Sequence, residues 1–549
     1  MSVISHESRF SMAPVNNISR SIFDRSNSLV TSFSAGKLIP IYCEDVLPGD
    51  TCTMDLSSLV RMATPLYPVL DTAWMDIHWF FVPLRLLWDN FKYFMGESQD
   101  AWTDDIEYQV PQVVCTPGPH TVSGYFGLPL TFSLGNPLWC EVNALPFRAY
   151  QLIWNEWFRD ENLQDPVLIN KGDTVTGGID DLLPVNKYHD YFTSCLPQPQ
   201  KGQTVFIPGG TGGDFPVYAL DKNVPSFNQS NLVFGSNGGF GSQYSFITAV
   251  RNGGDSNIAS ADLVGTGSSP IGKVVYPLNL WARASDNAEG GTINQLREAF
   301  AVQRFLERDA RGGTRYRELV KAHFGTDVGD ARVQVPEYLG GAHVPINIMQ
   351  VVQQSSTSGE PSPLGEVGAM SKTVHNGSMF TKSFTEHGLL MGFVSIRTDH
   401  SYLQGIPRMF SRKTRYDYYW PELANIGEQA VMTREIFAGA DEDDVFGYQE
   451  AWAEYRYKPN QITGKMAYTT IANDLGANTQ LSPWHYGDYY ASAPDLSDGW
   501  IRETDVNVGR TLAVSNTELF DQFIANFYFK AKWARPMPLY SIPSLNGHI

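Results

Sequence analysis

Apolar and polar positions alternate in three successive blocks between residues 36 and 88. In residues 51–62, Cys52, Met54, Leu56, Val60 and Met62 fall on one parity, and Thr51, Thr53, Asp55, Ser57 and Arg61 on the other. A period of two puts successive side chains on opposite faces, so this block predicts a strand with one buried face. In residues 73–82, Ala73, Met75, Ile77, Trp79 and Phe81 share a face, while Trp74, Asp76, His78, Phe80 and Val82 alternate less cleanly. Residues 38–46 precede both blocks and are closed by Pro48-Gly49-Asp50. Proline presets the first turn angle and glycine accepts positive φ, so local chemistry predicts a turn that pairs 38–46 with 51–62 as a hairpin.

The cleanest alternation comes near the end of the chain. Phe523, Ala525, Phe527, Phe529, Ala531 and Trp533 form one face; Ile524, Asn526, Tyr528, Lys530 and Lys532 form the other. Shorter strands are predicted over 347–353, 388–397 and 454–458. Helical spacing is rarer. Residues 84–95 read as helical. Pro146 opens a helix carrying Phe147, Tyr150, Ile153, Trp154, Trp157 and Phe158, expected to stop before Asp165-Pro166. Thr292 to Gln295 spells a capping box leading through Leu296, Phe300 and Leu306 to Gly312-Gly313, and a second helix runs from Thr314 to Gly325. Ser515 to Glu518 offers another capping box.

Many short strands with long connections fit a mainly β fold with large insertions. The 549-residue chain is long enough for a large core and carries no internal repeat. Five segments follow. Residues 1–35 are polar and aperiodic, as expected of an extended arm ordered by a partner surface. Residues 36–196 hold the first strands and a helical connection. Residues 197–277 are rich in Gly, Ser, Asn and Thr, with strand-like pieces between turns, and read as a small β-rich insertion of functional use. Residues 278–535 hold helices and the remaining strands, and 536–549 form an extended tail.

Charge narrows the function classes. A net charge of -18 argues against nucleic-acid binding by the whole surface and leaves room only for a local basic face. Five cysteines without Cys-x-x-Cys spacing read as buried thiols rather than a disulfide frame or zinc site. The N-terminus holds no apolar run of a secretion signal, and residues 77–88 are too short and too interrupted, by Pro83 and Arg85, to span a bilayer. Gly267 to Lys273 nearly spells a phosphate loop but has Val274 where the magnesium-binding hydroxyl belongs. Asp441-Glu442-Asp443-Asp444 fits a solvated acidic turn or a cation site shared between subunits. The histidines are scattered, so no metal and no cofactor is predicted. Trp154-Asn155-Glu156-Trp157 invites a β-sandwich glycoside hydrolase or a carbohydrate-binding adhesin, against helical spacing that makes both rings core.

Two stretches interleave cations with rings, as single-stranded nucleic acid requires. They supply the candidate contacts Arg412, Lys413, Arg415 and Tyr416, and Lys530, Lys532 and Arg535.

Residues 37–50, 64–82 (TPLYPVLDTAWMDIHWFFV), 154–166 (WNEWFRDENLQDP), 316–341, 399–421, 454–465 (EYRYKPNQITGK) and 526–535 (NFYFKAKWAR) together resemble the major capsid proteins of the Microviridae, specifically the gokushovirus branch. The resemblance implies an eight-stranded viral jelly roll, two facing antiparallel sheets with long insertions containing several helices. In that fold 38–46 and 51–62 belong to opposite sheets, so Pro48-Gly49 would be a corner. It further implies a homo-oligomeric T=1 icosahedral shell around circular single-stranded DNA, assembled in the host bacterial cytoplasm. The implied partners are a small basic DNA-binding peptide, which an acidic shell needs to neutralise phosphate, the scaffolding and pilot proteins of the phage, and a host-cell surface receptor. The variable insertion is implied to form an outward protrusion, with Gly212, Phe215, Gly238, Phe240 and Gly241 as host-attachment candidates. Deleting residues 209–267 is therefore expected to leave particle assembly intact and abolish adsorption to host cells. Subunits that fail to fold without the segment would place it in the core instead.

Overall fold

Two antiparallel sheets, each four strands wide, face each other, each centred on strands whose apolar parity is nearly complete. Nine strands build them: β1 (Ser21–Asp24), β2 (Asn27–Phe33), β3 (Ile39–Val46), β4 (Thr51–Met62), β5 (Ala73–Pro83), β6 (Glu337–Pro345), β7 (Thr373–Ser383), β8 (Gly388–Thr398) and β9 (Phe523–Arg535). One sheet runs β2–β9–β4–β7, with β1 continuing β2 along the same edge of β9; the other runs β6–β5–β8–β3. This is the mainly β, jelly-roll arrangement expected from the sequence, its first strand broken in two at Arg25-Ser26. The computed structural model describes residues 19–97, 108–130, 140–175, 178–205, 293–354, 365, 367–467, 482–513 and 520–540, and five short strands between 217 and 282.

The core lies between the sheets. Met54, Leu56 and Val60 of β4 and Phe527, Phe529 and Trp533 of β9 meet Met75, Ile77 and Trp79 of β5 and Ile39 and Ile41 of β3. Trp79 stands edge-on to Phe529, ring centroids 5.9 Å apart, and Tyr42 and Phe380 pack against the same pair at 5.1 and 5.6 Å. Tilted and edge-to-face rings match positive ring edges to negative faces.

Strands β3 and β4 lie in different sheets, so the Pro48-Gly49 turn is a corner and the local hairpin expectation is overturned. Gly49 does adopt a positive φ of 89°. Its N–H, however, donates to Phe384 O at 2.8 Å, and Phe384 N–H donates to Asp50 O at 2.8 Å. The β7–β8 connection thus captures the turn and pulls the chain across the sandwich. Asp50 is fully buried there and accepts the Leu47 N–H at 2.9 Å, with the Arg535 guanidinium 3.2 Å away.

Three other expectations change. Part of the segment read as an arm, residues 21–33, is edge strand paired to β9 of the same chain. Residues 84–95 form two separate turns, Leu84–Leu86 and Phe91–Phe94. The Trp88 indole and the Asn90 amide between them both donate to Asp173, at 2.7 and 3.1 Å, which draws the chain out of a continuous helix. Residues 454–458 are not a strand: Trp452 has φ 66° and opens the 3₁₀ turn Ala453–Tyr455.

Among the described residues, a helical layer covers one of the two sheets. Phe80, Val82, Leu389, Met391 and Phe393, on the outward face of β5 and β8, are buried beneath Phe147, Tyr150 and Ile153 of α1 (Leu145–Ile153) and Trp154. The Tyr150 hydroxyl donates to Leu38 O at 2.9 Å and accepts the Leu183 N–H at 2.8 Å, so its polar tip is satisfied inside the layer. The helix ends in the π-turn Trp154–Phe158, short of Asp165. Asn155 exchanges two hydrogen bonds with the Val167 backbone, at 2.8 and 2.9 Å, and folds the chain back. Farther on come α2 (Ile293–Gly312) and α3 (Tyr316–Phe324), the latter closed by Gly325 at φ 69°.

The sandwich and its layer belong to a unit of residues 1–201 and 307–549; residues 202–306 form a second. In the second, Val217–Ala219 pairs with Leu280–Ala282, and Val233–Ser236 lies between Tyr244–Ser245 and Val275–Pro277.

Parity on β9 separates core from surface. Phe529→Ala is expected to cost about 3–5 kcal/mol in subunit denaturation. The adjacent Tyr528→Ala is expected to stay within about 0.5 kcal/mol. Equal losses would contradict the alternation.

Candidate functional site

The sheet β2–β9–β4–β7 keeps its outward face open among the described residues. Val30, Val374, Ile524 and Tyr528 are all exposed on it. Register aligns the rest into rows: Lys532 beside Thr53, Lys530 beside Asp55, Tyr528 beside Ser57, Ile524 beside Arg61. Asn376, Ser378 and Thr381 extend the rows across β7. The result is a carpet of hydroxyls and amides with one exposed phenol near its middle. Its cations, Arg20, Arg61, Lys530 and Lys532, stand among the carboxylates Asp24, Asp55 and Asp521, a small local surplus in a chain of net charge -18. Lys530 Nζ lies 3.9 Å from Asp55 Oδ2, long for an exposed pair, and leaves the ammonium mostly to solvent. Asp24 is held below the usual carboxylate range by hydrogen bonds from Ser26 and then by Lys532 and Lys530.

Arg535 ends the same strand but not the same face. It lies 3.2 Å from buried Asp50, donates to Asp45 O at 2.8 Å, and stacks 4.4 Å over Trp533. Its charge is committed to the corner.

The second basic–aromatic stretch stands elsewhere, on a cluster built by Tyr191, Phe192, Tyr402, Val431 and Ile436. Arg412 reaches Glu454 at 3.2 Å and sits between Tyr418 and Tyr455, 5.1 and 4.6 Å from their centroids. Lys413 meets Glu442 at 2.9 Å. Arg415 lies 4.8 Å over Tyr416 and donates to its hydroxyl at 2.6 Å. Tyr455 and Tyr457 join this surface from a part of the chain where no ring pattern flagged them. The acidic run 441–444 is a turn against the same surface: Glu442 also meets Arg434 at 2.8 Å, and Asp444 O accepts the Thr433 N–H. Gly212, Phe215, Gly238, Phe240 and Gly241 lie outside the described residues.

A cleft of 770 Å³ is lined by Trp157, Phe158, Tyr338, Glu161, Glu318 and other residues. Burial raises both carboxyls. At Glu161 the Glu318 hydrogen bond, Arg315 and the Thr314 N–H outweigh burial and hold it low; at Glu318 burial and Glu161 together push it up. A split acid pair beside aromatic walls is what a glycosidase needs. Here the pair is occupied: Glu161 accepts the Thr314 and Arg315 N–H groups and the Arg315 guanidinium. Glu318 reaches back to the Arg315 N–H at 3.4 Å. Both carboxylates cap α3.

A buried ion cluster joins three distant segments. His400 places Nδ1 2.9 Å from Asp488 and Nε2 2.8 Å from Glu503. Lys187 reaches Asp488 at 3.2 Å, Asn507 donates to it at 2.6 Å, and the Thr398 hydroxyl donates to Glu503 at 3.0 Å. Its partners are about a hundred positions or more apart in part, and nothing in their local sequence signals the meeting. Among the described residues no group of three or more His, Cys, Asp or Glu is arranged to hold a metal, and no helix is long and apolar enough to cross a membrane.

Residues 11–545 match the family described as Capsid protein (F protein). Capsid protein VP1 of Bdellovibrio phage phiMH2K is 37% identical over 550 residues, covering 98% of this chain and 98% of the relative. Capsid protein VP1 of Chlamydia phage 1 is 37% identical over 601 residues, with 98% of each covered. Capsid protein VP1 of Spiroplasma virus 4 is 36% identical over 560 residues, covering 98% and 97%.

His400 sets a pH response. Burial alone pulls the imidazole down, but Asp488 and Glu503 outweigh it and hold it up at about 9. A folded value above the unfolded one, about 6.5, stabilises the fold fully below that pH and less as pH rises through about 9. Subunit stability is expected to fall by up to about 3 kcal/mol between pH 6.5 and 9.5 in urea titrations. His400→Gln should flatten that slope; a flat wild-type profile would refute the assignment.

Proposed function

The chain belongs to the Capsid protein (F protein) family, in its gokushovirus-type Microviridae branch, and on that premise we propose that it closes a T=1 icosahedral shell around circular single-stranded DNA. As a capsid protein it is a structural component of the virion that assembles with copies of itself. The family is not an enzyme family, and the one acid pair that invited a glycosidase is spent on a helix terminus.

The observation that carries the DNA reading is the open face of β2–β9–β4–β7. A polyanion is held by free cations, and sequence-tolerant binding of single strands adds rings on which bases stack. Lys530 and Lys532 follow Tyr528 along the same face of β9 and point their ammonium groups to solvent, so we assign the DNA contact to them. Arg412 and Arg535 carry as much formal charge but are held closer, each 3.2 Å from an in-chain carboxylate, against 3.9 Å for Lys530 and Asp55. The opposite sheet is unavailable for the same role, because α1 and Trp154 cover it.

A carpet with so small a cationic surplus cannot neutralise a packaged genome. The reading therefore includes a small basic DNA-binding peptide as partner, together with scaffolding and pilot proteins during assembly in the host bacterial cytoplasm. The insertion over residues 197–277 is the proposed outward element, meeting a host-cell surface receptor.

Replacing Lys530 and Lys532 together by Ala tests the DNA contact in purified particles. The DNA-to-protein ratio, or the salt concentration at which particles lose DNA, is expected to fall by about twofold, since fewer phosphate contacts weaken salt-sensitive binding. Particles with unchanged content and unchanged salt resistance would remove these lysines from the proposal.

A further inference from the structure

The loop carrying residues 408–420, with its neighbour 452–458, presents an aromatic surface that the sandwich does not use. Phe410, Tyr416, Tyr418, Trp420, Tyr455 and Tyr457 are 72%, 61%, 52%, 49%, 52% and 56% exposed. These rings are held in place. The Trp420 indole donates to Arg415 O at 2.8 Å, and the Trp452 indole beneath donates to Leu423 O at 2.9 Å. Tyr419 stands edge-on to Trp452 with centroids 5.8 Å apart. Arg412 is clasped by two rings and Glu454. Asp417 accepts the N–H groups of Lys413 and Thr414, at 2.8 and 2.6 Å, and fixes the turn. A surface ordered before it binds loses little entropy on binding.

Two occupants fit rings and cations on a phage capsid chain: nucleic acid, or another protein surface. The ion pairs decide between them. Arg408 faces Glu435 and Glu454, Arg412 faces Glu454, Lys413 faces Glu442, and Arg456 faces Glu450. The cations of this surface are thus largely neutralised from within, and a phosphate backbone would find little free charge to displace its counterions. Apart from Arg415, which meets the Tyr416 ring and hydroxyl rather than a carboxylate, what remains is Tyr, Trp, Phe and carboxylate-paired Arg, the composition of a protein-interface hot spot rather than of a nucleic-acid groove. A fully covered aromatic side chain buries about 150–250 Å², so six of them, each about half exposed or more, offer on the order of 700 Å². That is close to the roughly 800 Å² which one partner gives to a standard interface.

We propose that this surface is an anchor for contact between copies of this chain, one protomer's rings seating on a different face of its neighbour. The inference rests on the capsid reading, and the experiment separates the two. Full-length wild type and the double variant Phe410→Ser/Tyr457→Ser are purified as subunits and assembled at increasing concentration, with shells counted by sedimentation and electron microscopy. Wild type that forms no shells would sink the capsid reading itself. With wild type assembling, the variant is expected to melt as wild type does but to need at least tenfold more protein to form shells. A variant that assembles at the wild-type concentration overturns the proposal. So does one that assembles normally but encloses less DNA, because nucleic acid would then be the occupant. Should the double variant melt lower, Tyr416→Lys, at a ring paired with its own neighbour Arg415, replaces it under the same expectations.

Discussion

The structure depends on β9 lying between β2 and β4. Twelve of its residues pair with β4, from Phe523 opposite Met62 to Ala534 opposite Thr51, across some 450 positions of chain. Closing so long a loop is costly in entropy, though the cost grows only with the logarithm of its length. The return comes from one face and both edges of the strand: Phe523, Phe527, Phe529 and Trp533 enter the core, and the backbone of β9 completes two ladders at once. Without β9, β2 has no partner and β4 loses one of its two ladders. The Arg535–Asp50 contact then ties the end of β9 to the corner where β3 becomes β4, so the last strand also fixes the first crossing between sheets. A chain built this way can insert long segments between its strands, because the closing ladder does not count the residues it skips.

The same geometry explains what the sequence displayed and what it hid. The four central strands, β4, β5, β8 and β9, were legible, since each buries at least one full face and pairs on both edges. Strand β7 was not. It runs Thr373, Val374, His375, Asn376, Gly377, Ser378 along an edge, with a bulge at Ser378/Phe380 that breaks the parity. Strand β6 has its own bulge between Tyr338 and Gly340, and β1 and β2 read as a polar arm because one side faces solvent and the other meets β9. Edge strands carry weaker patterns because only one ladder and part of one face constrain them. The corner at Pro48-Gly49 failed for a different reason. Turn chemistry gives the bend but not the partner, and Phe384, more than three hundred residues away, supplies the partner.

Residue type likewise named the candidate cations without saying which of them are free. Arg412 and Lys530 look alike in a sequence. One is wedged between two rings and Glu454, the other extends from an open sheet. The difference lies in which carboxylates the fold brings near, and Glu454 and Asp50 are placed by packing that no local window contains. The split Glu161–Glu318 pair carries the same lesson from the other side. Its perturbed protonation has the look of chemistry, and its cause is the N-terminus of α3.

Charge also constrains how copies of this chain can meet. At a net charge of -18, protomers repel one another at long range, and physiological salt screens that repulsion beyond roughly 8 Å. Shell contacts must therefore be won at short range, from apolar area and shape rather than from opposite fields. A surface whose arginines mostly face carboxylates of their own chain suits that requirement: it adds little repulsion of its own and keeps its rings rigid. The lysines of the open sheet are the converse. Lys530 is 3.9 Å from Asp55 and extends toward solvent, which is the ground on which a polyanion is proposed as its neighbour. On the difference between closely and loosely paired cations rests the proposal that the two basic–aromatic stretches, alike in sequence, meet different kinds of neighbour.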